Sequence, residues 1–327
     1  MKKEEKKNRQ KVLLVWLFLT GLLLTMTTYA WFSTNRIFEI ESFDIQVASK
    51  GGIEVSTDAI DWKGVVGMLD FVQARNSYPN NLNQIPNVVR PVSSAGEVEN
   101  GRLKLYYGEV EMENYYYLHA SRTIETAALM DDSDGIFVAF DLFLRTNSPK
   151  RLTIAAGSGV SYKDDVSQAT GIENAFRLAF INQGTLAEDR PLAQIQNQNS
   201  GTNSFIWEVN YDRHTADAVA HALNTYGITT TTTNAARLAY DGIRNDIDPA
   251  LRIDVGRANA NNYPNLFRRV EPQLATTAAN NTIQDFINIE AGITKLRVYV
   301  WLEGQDVDCE DNASYGDLAI NLQFVAH

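Results

Sequence analysis

The stretch IFVAFDLFLR, residues 136–145, decides the fold class, because apolar side chains recur at every second position along it. On an extended chain these residues share one face, while Asp141 and Arg145 fall on the other. A period of two is typical of a β-strand that buries one face. The apolar set consists of Ile136, Val138, Phe140, Leu142 and Leu144.

Similar alternating runs recur along the chain, and counting them predicts about nine or ten short strands. Two or three short helices interrupt them; these are predicted over residues 64–74, 215–226 and 234–243. Thr215 suits an N-cap and Gly227 a C-terminal cap of the second helix. The predicted fold is all-β: an antiparallel two-sheet sandwich of jelly-roll type with a few short helices in insertions.

A leader precedes this predicted sandwich. Residues 12–32 read VLLVWLFLTGLLLTMTTYAWF and hold no charged residue, which is long enough for a membrane-spanning helix. The basic segment 1–11 is expected to stay in the cytoplasm, so that residues 33–327 are exported. Cleavage after Ala30 by signal peptidase and retention as a transmembrane anchor are both open. The exported domain is expected at the extracellular face of the membrane or in the medium, with an insertion near residues 212–285.

The exported part is strongly acidic. The whole chain has a net charge of −11; residues 1–11 carry six basic and two acidic residues, so the remainder carries a net charge of −15. Such a surface repels phosphate backbones, and nucleic acid is not an expected partner. The single cysteine, Cys309, cannot form a disulfide within its own chain, and burial is the usual fate of such a residue.

The leader junction carries a resemblance to a known family. The run TYAWFS, residues 28–33, followed by an early strand, resembles exported TasA and camelysin-type proteins, and the alternating run 318–325 resembles their last strand. This resemblance implies a jelly-roll subunit of extracellular fibres in Gram-positive bacteria, whose subunits join by inserting an N-terminal strand into the next subunit. The segments 206–208 and 301–309 also resemble uncharacterised exported proteins of Firmicutes, which implies no activity.

The early strand, residues 37–47, is the candidate for self-association. Its alternation slips by one position at Ser42, which predicts a bulge or two short strands. As a donor, the segment would add a strand to the sheet of another copy. The competing interpretation is an ordinary first strand within its own sheet. The side chains that would fill the neighbour's pockets are Phe38, Ile40, Phe43, Ile45 and Val47.

An acidic loop near the C-terminus is the candidate metal site. Asp306, Asp308, Glu310 and Asp311 lie within six residues, and carboxylates at this density suit Ca²⁺. A simply solvated loop is the competing interpretation, and no other cofactor is expected. His214, Asp217 and His221 could hold zinc if they shared a helix face, but exposed helix residues are the favoured interpretation.

The sequence contains no catalytic signature. Neither H-E-x-x-H nor G-x-S-x-G occurs in it, so we expect no enzyme. The predicted function is an exported structural protein of the cell surface or matrix, with a fibre subunit as its specific form. A surface-attached β-sandwich module that binds carbohydrate or another ligand is the alternative, resting on exposed aromatics and acidic loops. Tyr106, Tyr107 and Tyr115–Tyr117 could stack sugars, but a structural role is the favoured interpretation, because aromatic residues are good strand formers. An exported hydrolase is the least favoured alternative.

Overall fold

Short strands are the commonest regular element of the described chain. The structure, a computed structural model, describes residues 38–39, 44–50, 52–86, 88–125, 136–162, 171–210, 213–232, 241–271, 274–275, 284–309 and 318–327. In chain order the strands are β1 (Phe38–Glu39), β2 (Asp44–Lys50), β3 (Glu54–Ser56), β4 (Val65–Val66), β5 (Val88–Val89), β6 (Val92–Ser93), β7 (Val98–Glu99), β8 (Arg102–Leu103), β9 (Leu105–Met112), β10 (Tyr116–Thr123), β11 (Val138–Thr146), β12 (Lys150–Ile154), β13 (Gly159–Tyr162), β14 (Phe176–Leu186), β15 (Ser204–Glu208), β16 (Asp241–Ile243), β17 (Ile253–Asp254), β18 (Phe267–Arg269), β19 (Leu274–Ala275), β20 (Gln284–Ile289), β21 (Gly292–Leu302) and β22 (Leu318–Ala326).

Helices are few and short, as the sequence predicts. They are α1 (Met68–Ser77), α2 (Leu192–Gln196) and α3 (Ala216–Tyr226), with 3-10 turns at Ile172–Ala175, Pro249–Leu251 and Val255–Arg257. Both predicted caps of α3 are confirmed: the Thr215 hydroxyl accepts from the Ala218 amide, and Gly227 is left-handed. The predicted helix over 234–243 is wrong at its end, because residues 241–243 form β16; residues 233–240 lie outside the described chain.

A six-stranded sheet, here called the central sheet, is built around β21 in the order β19-β15-β14-β21-β11-β3. The deciding run 136–145 contributes β11, which pairs antiparallel with β21 along nine register positions, from Val138↔Val300 to Thr146↔Gly292. On its other edge β21 pairs antiparallel with β14. Neighbours in this sheet run antiparallel except β15 and β19, which are parallel.

A second six-stranded sheet, the facing sheet, has the order β20-β12-β22-β2-β4, with β13 also paired to β22. Its inward residues, such as Leu322 and Phe324, share one buried cluster with Phe140, Phe180 and Val298 of the central sheet. The predicted all-β architecture of largely antiparallel sheets is therefore confirmed. Two pairings differ from the antiparallel prediction. β15 runs parallel to β19, and β2, in the early segment, runs parallel to β22, the last strand.

The central sheet is also covered on its opposite face. There a second buried cluster joins Tyr299 and Trp301 of β21 to Leu105 and Val92 of a four-stranded outer sheet, ordered β17-β10-β9-β6. Consequently all eleven residues of β21 are buried, including Lys295 and Arg297. Because β21 is buried on both faces, its polar and apolar residues alternate in the sequence, but its side chains do not alternate between exposed and buried.

The charged residues of β21 are neutralised inside the protein. Arg297 donates to Asp141 Oδ1 at 3.2 Å and to Asn83 Oδ1 at 2.8 Å. Lys295 Nζ lies 3.1 Å from Asp141 Oδ2 and donates to the Tyr78 hydroxyl at 3.0 Å. Tyr78 and Asn83 belong to the Asn- and Pro-rich segment after α1, which crosses over the sheet. Its polar atoms satisfy the buried charges that it covers.

The leader lies outside the described residues, as does its predicted cleavage position, Ala30. Within the described part of the chain, no helix is both long and apolar enough to cross a membrane.

Phe180 tests the packing between the two large sheets. Its ring centroid lies 4.6 Å from that of Phe286 and 6.1 Å from that of Phe324, both in the facing sheet. Phe180→Ala should lower the free energy of unfolding by about 3 to 5 kcal/mol, because it leaves a cavity at a fully buried position. Urea denaturation measures this loss. Leu69→Ala, at a side chain 74% exposed on α1, is the control and should change stability by less than about 0.5 kcal/mol. Equal losses in the two variants would contradict the packing described.

Candidate functional site

The described part of the loop after β21, residues 303–309, is buried, although its sequence is acidic. Its backbone turns twice: the Asp306 amide donates to the Glu303 carbonyl, and the Cys309 amide to the Asp306 carbonyl. Asp306 and Asp308 are each 1% exposed, so this part of the loop is not the solvated acidic loop that was the competing interpretation. Cys309 is a fully buried thiol in the main core.

Arg177 of β14 provides the positive charge beneath this loop. Its Nη2 contacts Asp306 Oδ2 and lies 2.7 Å from Glu208 Oε1 of β15. Its Nη1 donates to the carbonyls of Asn174 and Phe176 at 2.8 and 3.0 Å. Both carboxylates and the guanidinium are almost completely buried. The ion pairs therefore connect two strands of the central sheet to the loop.

Asp308 attaches the start of α3 to the same loop. Its Oδ2 accepts from His214 Nδ1 at 2.6 Å, and its Oδ1 accepts from the amide and the hydroxyl of Thr215 at 2.9 and 3.1 Å. His214 Nδ1 also lies 3.8 Å from Asp306 Oδ1. We call Arg177, Glu208, His214, Asp306 and Asp308 the junction cluster, because it joins the 212–285 segment to the sheets.

The electrostatics of the junction cluster favour a protonated imidazole. Burial by itself lowers the pKa of His214, but the hydrogen bond to Asp308 and the negative charges of Asp306 and Asp308 outweigh it, so the pKa lies above its usual value. Burial raises the pKa of the nearby Glu173 carboxyl, and the charge of Asp308 adds to the effect.

The structure brings together only some of the predicted metal ligands. Among the described residues, the group whose ligand atoms lie within 4.8 Å of one another is His214, Asp306 and Asp308. Glu310 and Asp311 lie outside the described residues, so the four-carboxylate calcium site stays a prediction. His214 precedes the cap of α3, whereas His221 lies on the helix with its ring 5.6 Å from that of Tyr226.

The predicted sugar-stacking tyrosines have structural contacts. The Tyr106 hydroxyl donates to the Arg244 carbonyl at 2.6 Å. The Tyr116 ring packs edge-on against Tyr226, and the guanidinium of Arg252 lies 3.7 Å from the Tyr117 ring centroid. These contacts place the rings between the outer sheet and the 212–285 segment, while Tyr115 remains 62% exposed.

The terminal strands form the candidate assembly site. β2 lies between β22 and β4: it pairs with β22 along seven register positions, from Asp44↔Ala319 to Lys50↔Val325, but with β4 at only two. β1 pairs with β5, in a different sheet. Of the two predicted forms of the early segment, two short strands are therefore observed, and Ile40 and Phe43 lie between them, outside the described residues.

Comparisons of the chain with protein-family models, with curated proteins and with solved structures found no match.

Sequence reasoning missed Arg177, Glu208 and Glu303 as members of a buried polar system. A signal for them was present, since each is a single charge within or at the end of an otherwise apolar strand run. Glu303 accepts from the Trp301 indole at 3.0 Å and from the Gln305 amide at 3.1 Å. Burial raises its pKa to about 7 despite these donors.

Glu303 should make stability depend on pH. Between the ordinary glutamate pKa of 4.5 and the folded value of about 7, the folded protein holds a proton that the unfolded chain has released. The free energy of unfolding should therefore fall as pH rises through this window. Glu303→Gln carries no titrating proton there and should flatten the slope, even if it lowers stability overall. Urea denaturation at several pH values measures this. Glu290→Gln, at an exposed carboxylate, is the control and should keep the wild-type slope; an unchanged slope in Glu303→Gln would refute the assignment.

Proposed function

We propose that this chain is an exported structural protein of the cell surface or extracellular matrix whose copies join through their terminal strands. The observation that carries the proposal is the position of β2, which is held by a long ladder to β22 on one edge and by two residue pairs to β4 on the other. When β2 leaves its sheet, it breaks the ladder to β22 and only two further residue pairs, those with β4.

Withdrawal of β2 would leave a site that fits another copy of the same strand. β22 would lose its ladder to β2, along a strand whose residues Ile320, Leu322 and Phe324 are buried. Unpaired strand edges with an adjacent apolar face are the usual acceptors for an added strand. The β2 strand of a second copy would restore the same register, so identical subunits could join head to tail.

The separate pairing of β1 supports the same exchange. Because β1 pairs with β5 and β2 pairs with β22, the two parts of the early segment belong to different sheets. A donated segment would therefore make two independent sets of backbone hydrogen bonds in its neighbour.

The finer features of the proposal follow from the resemblance to TasA and camelysin-type proteins. They are a jelly-roll topology, an N-terminal signal or membrane-spanning helix over residues 12–32, and a location outside the membrane. The chain would contact the membrane through that helix unless cleavage after Ala30 releases it. Its role would be structural, with no enzymatic activity.

A disulfide between β2 and β22 tests the exchange. Positions 46 and 321 are register partners, and neighbouring strands bring such positions within the span of a disulfide. The variant Gln46→Cys with Asn321→Cys, isolated from producing cells and oxidised as a monomer, should stay monomeric because β2 can no longer leave. Reduction should restore assembly. Sedimentation and negative-stain images measure both states.

A second disulfide serves as the matched control. Arg151→Cys with Asn288→Cys links β12 to β20, which are register partners in the same sheet and take no part in the exchange. This variant should assemble whether oxidised or reduced. Wild-type protein that stays monomeric at high concentration, or a β2–β22 disulfide variant that assembles as well as wild type, would rule out strand exchange.

A surface groove supports the alternative function, a ligand-binding module. It has a volume of about 670 Å³ and lies between the β7–β8 hairpin, residues 202–206 and residues 268–271. That volume falls within the range of small-molecule sites. A glycan array distinguishes this function from assembly, because sugar binding by a chain that never polymerises would favour the module.

A further inference from the structure

We propose that His214, Asp306 and Asp308 bind a divalent transition-metal ion of the Zn²⁺ type, which fastens the start of α3 to the loop after β21. Nδ1 of His214 lies 2.6 Å from Asp308 Oδ2 and 3.8 Å from Asp306 Oδ1. Ligands around a tetrahedral zinc ion, bound at about 2.0 to 2.2 Å, lie roughly 3.3 Å apart. The two observed separations lie on either side of that value, so small side-chain rotations would create the geometry.

The wall of the site contains buried acceptors without donors. Gly171, at φ 93°, lies close to Asp308 and Thr215. A Cβ at this position would be 2.9 Å from Asp308 Oδ1 and 2.4 Å from the Thr215 methyl. The turn that Gly171 begins therefore packs directly against the proposed ligands. In that turn, Glu173 Oε2 and Asn174 Oδ1 are buried and accept no hydrogen bond from the described residues. Asn174 is only 5% exposed, and a buried oxygen of this kind needs a partner such as an ordered water or a cation.

The junction cluster holds more acidic than basic side chains. Three buried carboxylates, of Asp306, Asp308 and Glu208, face one buried guanidinium, of Arg177. A bound cation offsets this excess of carboxylates, because buried charge needs a partner of the opposite sign.

The donor set selects the class of metal. An imidazole nitrogen beside two carboxylates suits Zn²⁺ and similar ions, whereas Ca²⁺ takes six to eight oxygen ligands. The proposed site therefore differs from the calcium loop predicted from the sequence: it takes a ligand from the distant 212–285 segment and needs neither Glu310 nor Asp311. Three protein ligands leave one tetrahedral position open.

Metal titration of the full chain tests the proposal. After chelator treatment, ZnCl₂ should bind with one equivalent in calorimetry, and at a hundredfold excess over Kd it should raise the melting temperature by about 5 °C. CaCl₂ at the same concentration should leave the melting temperature unchanged. Co²⁺ should give the visible absorption band of a tetrahedral site.

Two histidine variants separate this site from adventitious binding. His214→Gln keeps a donor for Asp308 but lacks the ligand nitrogen, so it should lose the zinc equivalent, the thermal shift and the cobalt band. His221→Gln, seven residues further along, should keep all three. Wild-type protein that binds neither Zn²⁺ nor Co²⁺, or a His214→Gln variant that binds zinc as wild type does, would overturn the proposal. A thermal shift with Ca²⁺ that persists in His214→Gln would also overturn it, in favour of the oxygen-only loop. If His214→Gln does not fold, wild-type protein that binds neither ion still overturns the proposal.

Discussion

The burial of β21 on both faces is the constraint on which the rest of the structure depends. A strand of a two-layer sandwich ordinarily keeps one face in water, but this one carries Lys295 and Arg297 into the interior. Breaking such a buried ion pair by removing one partner costs far more than losing an exposed one. Asp141 on β11 and the polar atoms of the segment after α1 must therefore remain in register. The outer sheet and this covering segment act as parts of the core.

The same constraint explains what the sequence could and could not predict. Alternation identifies β11 and β21 as strands, because it reflects the two-residue period of an extended chain. Alternation cannot tell whether the polar face of a strand is exposed to solvent or buried, because burial of that face depends on segments far away along the chain. Arg177 illustrates the limit: it looks like a solvent-facing residue of the run FRLAF, yet it is 1% exposed. Local chemistry was predicted best, as in the two caps of α3, where the decisive residues are adjacent in sequence.

The candidate site was predicted in part for the same reason. The carboxylates of Asp306 and Asp308 are evident in the sequence, but their partners, His214 and Arg177, are about a hundred residues away and come close only in the folded chain. The junction cluster is consequently a tertiary feature. It joins β14, β15, the loop after β21 and the start of α3 at one place, which connects the 212–285 segment mechanically to the central sheet.

The parallel alignment of β2 and β22 gives the domain a direction. Both strands run the same way, so the residues nearest the leader, beginning at Asp44, lie beside the start of β22, and the chain end at His327 lies beyond Lys50 at the opposite end of the sheet.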